Sequence, residues 1–372
     1  MDYNELKEEM RKQKTGYSHG ERVKRYFSGE VVDYLPYVLL APYPALSEVF
    51  GYTTSQMDSD FNIYQKIIEG SRDEFGVSGV NVRLSLRSMG AAMGSTLSIP
   101  EHGIDSIKHH ILQDYSDWDK LVEIDPYNNK ILTPMLETAE KLRKEYPDMV
   151  LSTGVVGPVS TAVAVRPIEK ILRDTRKNPD QLKKLIALCV DNSLKWVEVF
   201  TKEFGGAQAS CSDPVTCTDI FSEDQFLEFS LPEMKRLFSG LKEITGSAPS
   251  LHICGHTKGI WKYFPEMEIS SFSVDNCEDL EELRLAIGDD LVISGNVPPV
   301  EVLRFGSIDD VINSVKESIR KGSTSPKGFI LSSGCQIPIG TPRENLEAMI
   351  YAVRKYGRDA KIGEMPKGME EA

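Results

Sequence analysis

Short apolar runs alternate along the chain with longer segments of helical periodicity. Eight runs have the length, composition and flanking turn residues of β-strands. They span residues 35–40, 80–86, 149–156, 207–212, 250–254, 271–274, 291–294 and 329–332. Apolar residues recur at helical spacing over 127–144, 179–204, 223–241, 308–320 and 342–356. This strand-and-helix alternation predicts an α/β fold, a (β/α)₈ TIM barrel, with a doubly wound sheet as the alternative.

The first thirty residues are predicted to form a helical extension before the barrel. Ser18-x-x-Glu21 has the spacing of a capping box, and Ser28-Gly29 follow the apolar positions of the short helix that it would open. The sequence therefore predicts three parts. These are an N-terminal helical segment (1–30), a (β/α)₈ barrel domain (31–360) and a C-terminal tail (361–372).

Composition restricts the partners of this chain. Its 372 residues include 56 acidic and 43 basic side chains, a formal net charge of -13. This excess of negative charge argues against nucleic acid and anionic membrane surfaces as partners. The acidic first residues and the absence of any apolar run of about 18 residues predict a cytoplasmic protein. The six cysteines lack the paired spacing of a disulfide framework, so reduced thiols are expected.

Three soft ligand candidates are the most informative residues. His252 and Cys254 are two positions apart in a predicted strand, so their side chains are expected on the same face. Cys335 follows another predicted strand, and the carboxyl ends of barrel strands share one rim. One imidazole and two thiolates suit zinc, and three protein ligands leave a fourth position for substrate. Taken alone, the His-x-Cys tripeptide is a weak signal, because buried structural cysteines are common.

Four further residues are site candidates. Asp213 is the catalytic candidate, and it begins an Asp-Pro turn. It is expected to orient His252, to bind substrate, to fill the open metal position or only to stabilise the turn. Asn296 would present its amide to the site or close a loop. Tyr43 would contact substrate or pack, and Arg83 would hold an anionic substituent or lie at the surface.

In these residues the chain resembles the uroporphyrinogen decarboxylase superfamily, and within it the zinc-dependent, corrinoid-linked methyltransferase branch. The two most specific segments are His252-x-Cys254-Gly255 and Gly334-Cys335-x-Ile337-Pro338-x-Gly340-Thr341-Pro342-x-x-Asn345. The other matching segments are Arg22, Gly29-Glu30, Asp33-Tyr34-Leu35-Pro36, Gly157-Pro158, Asp213-Pro214 and Gly295-Asn296-Val297-Pro298-Pro299.

The resemblance implies that His252, Cys254 and Cys335 hold zinc. It also implies that a corrinoid protein is the partner and that cobalamin on that partner exchanges a methyl group with a small substrate. The sequence inclines toward demethylation of a methoxylated, aryl methyl ether substrate. Gly90-Ala91-Ala92-Met93-Gly94 lacks the acidic residue usual in thiol-methylating relatives, and Pro42-Tyr43-Pro44 predicts an aromatic, uncharged loop.

Three alternatives stay open. The first is a methylcorrinoid:thiol methyltransferase of the coenzyme M type. The second is a metal-free uroporphyrinogen decarboxylase, although residues 26–71 contain none of the arginines that an eight-carboxylate substrate would need. The third is a noncatalytic barrel that binds a small ligand or a partner.

Overall fold

A computed structural model describes residues 1–77, 79–82, 84–149, 151–205 and 209–372. The strands of the described residues, in chain order, are β1 (Val32–Tyr34), β2 (Tyr37–Val38), β3 (Val80–Val82), β4 (Thr96–Ser98), β5 (Ser106–His109), β6 (Leu151–Val156), β7 (Ala209–Ser212), β8 (Ser250–Ile253), β9 (Ser271–Val274), β10 (Val292–Val297), β11 (Phe329–Ser333) and β12 (Arg358–Ala360). The eight strands of the main sheet, β2, β3 and β6 to β11, match the eight predicted apolar runs, with shifts at their ends.

Helices follow most of the strands of the main sheet. The α-helices are α1 (Tyr3–Lys12), α2 (His19–Phe27), α3 (Tyr43–Val49), α4 (Thr54–Ser59), α5 (Phe61–Phe75), α6 (Ser88–Ala92), α7 (Leu132–Glu145), α8 (Pro158–Val165), α9 (Ile168–Lys177), α10 (Pro179–Phe204), α11 (Glu223–Gln225), α12 (Leu231–Thr245), α13 (Leu280–Ile287), α14 (Ile308–Gly322) and α15 (Arg343–Tyr356). Short 3₁₀ or π turns cover Tyr115–Lys120, Pro126–Asn128, Pro214–Thr216, Phe226–Ser230, Lys258–Glu266, Pro299–Arg304 and Lys367–Glu371. None of these described helices has the length and apolarity needed to span a bilayer.

The chain divides into two compact units. The first consists of Met1–Ser78, Glu101–Gly103 and Ser271–Ala372, and the second of Gly79–Pro100 and Ile104–Ser270. This division follows spatial packing, and the boundaries predicted at residues 30 and 360 stay predictions.

In the first unit the strand order is β2-β11-β10-β9, and the neighbouring strands run parallel. Tyr37 of β2 pairs with Leu331 of β11, so the first strand of the main sheet lies beside the last, as closure of a barrel requires. Outside the main sheet, β1 and β12 form an antiparallel pair. Within this unit the N-terminal helix α2 is joined to β11, since the backbone N–H of Phe329 donates a hydrogen bond to the hydroxyl of Tyr26.

In the second unit the strand order is β8-β7-β6-β3, again with parallel neighbours, and β4 and β5 form a separate antiparallel hairpin. The 26-residue helix α10 packs against β6, and the indole N–H of its buried Trp196 donates a hydrogen bond to the hydroxyl of Thr153. Trp196 is fully buried, so its polar atom needs this internal partner.

Two predicted helices differ from the structure for local reasons. The segment 223–241 is interrupted by the π turn at Phe226–Ser230, next to Pro232, which lacks the N–H that a continuous α-helix would use. The segment 127–144 becomes a 3₁₀ turn followed by α7. Its Asn129 side chain accepts hydrogen bonds from the backbone N–H groups of Ile131 and Leu132, which restarts the helix there.

Candidate metal centre

His252 and Cys254 are positioned by strand β8. Leu251 and Ile253 are 1% and 0% exposed, whereas His252 and Cys254 are only half-buried, as alternation along a strand requires. The apolar face thus anchors the strand in the core and leaves the imidazole and the thiol on the opposite face. This placement agrees with the alternation expected from the sequence.

Cys335 is positioned by a close contact directly after β11. The backbone N–H of Gly334 donates a hydrogen bond to the carbonyl of Val297 at 2.8 Å. A Cβ atom at residue 334 would lie 2.6 Å from the backbone nitrogen of Asn276, so a side chain does not fit there. Glycine at 334 therefore lets the chain pass close to the turn after β9, and this path fixes where Cys335 begins.

The structure brings the three predicted ligands together. One donor atom from each of His252, Cys254 and Cys335 lies within 4.8 Å of the other two. The Nε2 atom of His252 is 3.2 Å from the Sγ atom of Cys254. Bond lengths of about 2.0–2.3 Å around tetrahedral zinc place neighbouring nitrogen and sulfur ligands about 3.5 Å apart and two sulfurs about 3.8 Å apart. Both the spacing and the chemical type of these ligands fit zinc.

Asp213 is fully buried, and its carboxylate contacts the start of helix α8. Its Oδ1 atom accepts hydrogen bonds from the backbone N–H and the hydroxyl of Ser160, at 2.9 and 2.5 Å. The same hydroxyl accepts a hydrogen bond from the backbone N–H of Val215. Burial raises the pKa of Asp213, and the hydrogen bonds from Ser160 oppose that shift. Through these bonds Asp213 joins the start of α8 to the loop after β7.

The backbone of Asp213 supports the metal ligands more directly than its carboxylate does. Its N–H donates a hydrogen bond to the carbonyl of His252 at 3.1 Å, which extends the pairing of β7 with β8. On the other side, a Cβ atom at Gly157 would lie only 2.2 Å from the Cβ atom of Asp213. The glycine of the Gly157-Pro158 segment thus provides the space that the buried aspartate occupies.

Asn296 is placed in a loop-closing position. Its side-chain amide donates hydrogen bonds to the carbonyls of Asp275 and Glu278, at 3.2 and 2.9 Å. These bonds hold the turn that follows β9. Of the two roles considered for Asn296, the contacts match loop closure.

Of the two other predicted substrate contacts, Tyr43 and Arg83, the structure describes only Tyr43. Tyr43 is 4% exposed and packs edge to face against Tyr64. It begins helix α3, so the prediction of an aromatic loop at Pro42-Tyr43-Pro44 was wrong, because Pro42 acts as the N-cap residue and the chain turns helical directly after it. Arg83, the other predicted substrate contact, lies outside the described residues.

Sequence reasoning did not identify Ser160 and Asp219 as supporting residues. The carboxylate of Asp219 accepts a hydrogen bond from the backbone N–H of His256 at 2.9 Å and lies 2.9 Å from the Nδ1 atom of its ring. Hydrogen bonds from His256 lower the pKa of Asp219. This pair ties the residues after Cys254 to the loop after β7. The only sequence signal for Ser160 was its position just after Gly157-Pro158.

Comparison with known proteins gives one family match. The model of the family described as uroporphyrinogen decarboxylase (URO-D) matches residues 18–356. A uroporphyrinogen decarboxylase from Hordeum vulgare is 29% identical over 150 residues, which cover 40% of this chain and 44% of that protein.

Two relatives from Methanosarcina mazei are methyltransferases by name. The methylated-thiol–coenzyme M methyltransferase is 28% identical over 230 residues, which cover 59% of this chain and 58% of the relative. The methylcobamide:CoM methyltransferase MtbA is 23% identical over 346 residues, 92% of this chain and 99% of the relative.

A solved structure supports the fold. It is a methyltransferase from Methanosarcina mazei, with a TM-score of 0.76 and 22% sequence identity over 91% of this chain and 99% of that chain. Together with the parallel strands and the pairing of β2 with β11, this match confirms the predicted TIM-barrel fold.

Proposed function

The chain belongs to the uroporphyrinogen decarboxylase (URO-D) family, and we propose that it is a zinc-dependent, corrinoid-linked methyltransferase. In this proposal a methyl group moves between the sulfur of a small thiol held at the metal and the cobalt of a corrinoid. The corrinoid is carried by a partner protein. The observation that carries the proposal is the convergence of His252, Cys254 and Cys335.

The ligand set supports a catalytic zinc more than a structural one. Three protein ligands leave one tetrahedral position for substrate, whereas structural zinc sites have four protein ligands. Two thiolates balance the charge of Zn²⁺, and an imidazole adds a neutral ligand. Zinc held there would lower the pKa of a substrate thiol and keep its sulfur nucleophilic at neutral pH.

The choice of a thiol rests on the relatives and on Tyr43. Both Methanosarcina mazei relatives carry coenzyme M in their names, and one of them also carries a methylated thiol. The preference of the sequence for an aryl methyl ether depended partly on an aromatic, uncharged loop at Tyr43. Because that ring is buried against Tyr64, it gives no support to an aromatic substrate. The thiol alternative is therefore the main proposal.

Metal analysis of purified protein tests the zinc site. We expect about one zinc per chain in the wild type and less than one tenth of that in Cys335→Ala, since a site with two ligands binds zinc far more weakly. Cys277→Ala is the matched control, because it removes an exposed thiol outside the three-ligand group. Full zinc occupancy in Cys335→Ala would overturn the assignment of this ligand.

A methyl-transfer assay tests the substrate class. In one direction, methylcobalamin is mixed with the enzyme and coenzyme M. In the other, free cob(I)alamin is mixed with the enzyme and dimethyl sulfide, a methoxybenzoate or methylamine. The absorption spectrum of the cobalt reports methyl transfer in both directions. We expect the two sulfur compounds to respond and Cys335→Ala to be inactive. A response to the methoxybenzoate alone would replace the thiol by a methyl ether. Metal-independent decarboxylation of uroporphyrinogen, with no methyl transfer, would overturn the proposal as a whole.

A further inference from the structure

A polar cavity lies in the first compact unit, away from Cys335. It has a volume of about 160 Å³ and is lined by residues of the N-terminal segment, β1, β2, α5 and α15. Tyr37, the first residue of β2, is in its wall, whereas Cys335 follows the last residue of β11. Since β2 and β11 run parallel, the cavity is at the opposite ends of the strands from Cys335.

Guanidinium groups dominate the lining of this cavity. Arg22, Arg72 and Arg354 line it, and Asp73 is the only acidic residue among its described lining residues. Asp73 pairs with Arg72 at 2.7 Å. Asp33 pairs with the buried Arg22 at 2.6 Å and is not among the described lining residues of this cavity. The two carboxylates leave the charge of Arg354 to be balanced.

Arg354 carries the clearest sign of a missing partner. Its Nε atom is buried, and no described residue accepts a hydrogen bond from it. Its guanidinium lies 5.7 Å from the centre of the Tyr34 ring, and it sits in the last turn of α15, where a cation is favoured. Ring contact and helix dipole account for a cation at this position, but neither provides an acceptor for Nε–H. A buried donor without an acceptor is unfavourable, so an acceptor is expected from a ligand.

A second, larger cavity of about 410 Å³ shares Tyr34 and Arg354 with the first. Its described cationic lining residues are Lys12, Lys14, Arg354, Lys355 and Arg358, and its acidic ones are Glu9, Asp33 and Glu371. This excess of cations occurs in a chain with a net charge of -13, so it is a local reversal of sign. Such a reversal attracts small anions toward the shared wall at Arg354.

We propose that the 160 Å³ cavity binds a small oxyanion, either a phosphate group or a dicarboxylate. Arg354 donates its Nε–H to one oxygen and supplies the balancing positive charge, while Arg72, whose charge is balanced by Asp73, adds N–H donors. Planar guanidinium groups pair with carboxylate and phosphate oxygens through paired N–H donors, and arginines rather than lysines line this cavity. The proposal is independent of the metal centre and adds a second ligand site to the chain.

Binding would connect segments that are far apart in sequence. Thr15, Tyr17 and His19 of the N-terminal segment line the cavity together with Arg354 near the end of α15. An anion held by Arg354 therefore ties the linker between α1 and α2 to α15. Occupancy is expected to slow proteolytic cleavage within residues 13–18, which precede α2.

Isothermal titration calorimetry of the purified full chain tests the proposal. The titrants are inorganic phosphate and malonate, and potassium chloride at matched ionic strength is the control. We expect one saturable site for at least one of the two oxyanions, and the stronger one identifies the ligand class. Arg354→Gln should weaken binding at least tenfold. Arg320→Gln, which removes an exposed arginine outside both cavities, should change it less than twofold.

A second variant and a second readout protect the test from a folding defect in Arg354→Gln. Arg72 is 45% exposed, so Arg72→Gln is expected to fold normally and to weaken binding severalfold. The bound oxyanion should also slow trypsin cleavage at Lys14 in the wild type but not in Arg354→Gln. The proposal fails if neither oxyanion binds saturably, if chloride gives the same heat and protection, or if Arg354→Gln binds as the wild type does.

Discussion

Replacing Asp213 separates its part in folding from any part in catalysis. In Asp213→Ala the backbone N–H and the hydroxyl of Ser160 lose their acceptor in a site with no exposure to solvent. Each buried donor left without a partner costs about 1–3 kcal/mol. Removal of a buried carboxylate offsets part of this cost, because burial disfavours its charged form. We expect Asp213→Ala to lower the free energy of unfolding by about 2–4 kcal/mol.

Asp213→Asn is the matched variant, because its amide oxygen can accept from Ser160 at the same position. It loses only the contribution of charge to those hydrogen bonds and no longer buries a carboxylate, so the expected loss is about 1 kcal/mol or less. Urea unfolding followed by circular dichroism measures both variants, and the denaturant slope should stay that of the wild type. Equal losses for the two variants, or a loss below about 0.5 kcal/mol for Asp213→Ala, would refute this account of Asp213.

The same pair of variants decides whether Asp213 is also catalytic. If Asp213 only joins α8 to the loop after β7, Asp213→Asn should keep its methyl-transfer rate within about fivefold of the wild type. A loss of 100-fold or more in a variant with wild-type stability and zinc content corresponds to about 2.7 kcal/mol of transition-state stabilisation. Such a loss would assign the carboxylate to the reacting atoms.

Three further predictions concern stability, acid unfolding and the metal ligand Cys335. Arg166→Leu should lower the free energy of unfolding by about 3 kcal/mol in urea, because the buried carboxylate of Asp174 loses its cationic partner and keeps only the hydrogen bonds from Tyr115 and Asn178. Burial raises the pKa of Asp174, but hydrogen bonds led by that from Arg166 outweigh it and hold the pKa below its ordinary value. The stability that this ion pair gives the wild type should therefore be lost as the pH falls from the ordinary pKa of an aspartate through the lowered pKa of Asp174. In an acid titration of the free energy of unfolding, Arg166→Leu should lack this loss. Gly334→Ala should reduce zinc content at least twofold in metal analysis, because its Cβ atom would overlap the backbone of Asn276 and displace Cys335. Unchanged zinc content would contradict the role of Gly334 in positioning Cys335.

Features set by local sequence were predictable. Burial alternates every two residues along β8, so the shared direction of His252 and Cys254 follows from their spacing alone. Helix α10 begins and ends at the predicted residues, Pro179 and Phe204, because a proline suits its first turn and Gly205 follows its last. The alternation of strands and helices then led to the barrel.

Features that depend on register between distant segments were not predictable. Asp213 contacts Ser160, which is 53 residues earlier in the chain, and Gly334 contacts Asn276 across two strands. These contacts need the offset of parallel strands, which a periodic pattern does not contain. The packing of Tyr43 was not predictable for a related reason, since whether an aromatic residue packs inward or faces a ligand depends on neighbours such as Tyr64.

The pairing of β2 with β11 has a consequence during protein synthesis. Tyr26 and Phe329, which hydrogen-bond beside these strands, are 303 residues apart in the chain. A ribosome adding about 5–20 residues per second needs roughly 15–60 s to cover that interval. Throughout it, the apolar side chains of the first strand lack the neighbour that later shields them. Nascent chains halted before residue 329 should consequently recruit chaperones at their leading end, and release from those chaperones should coincide with emergence of β11.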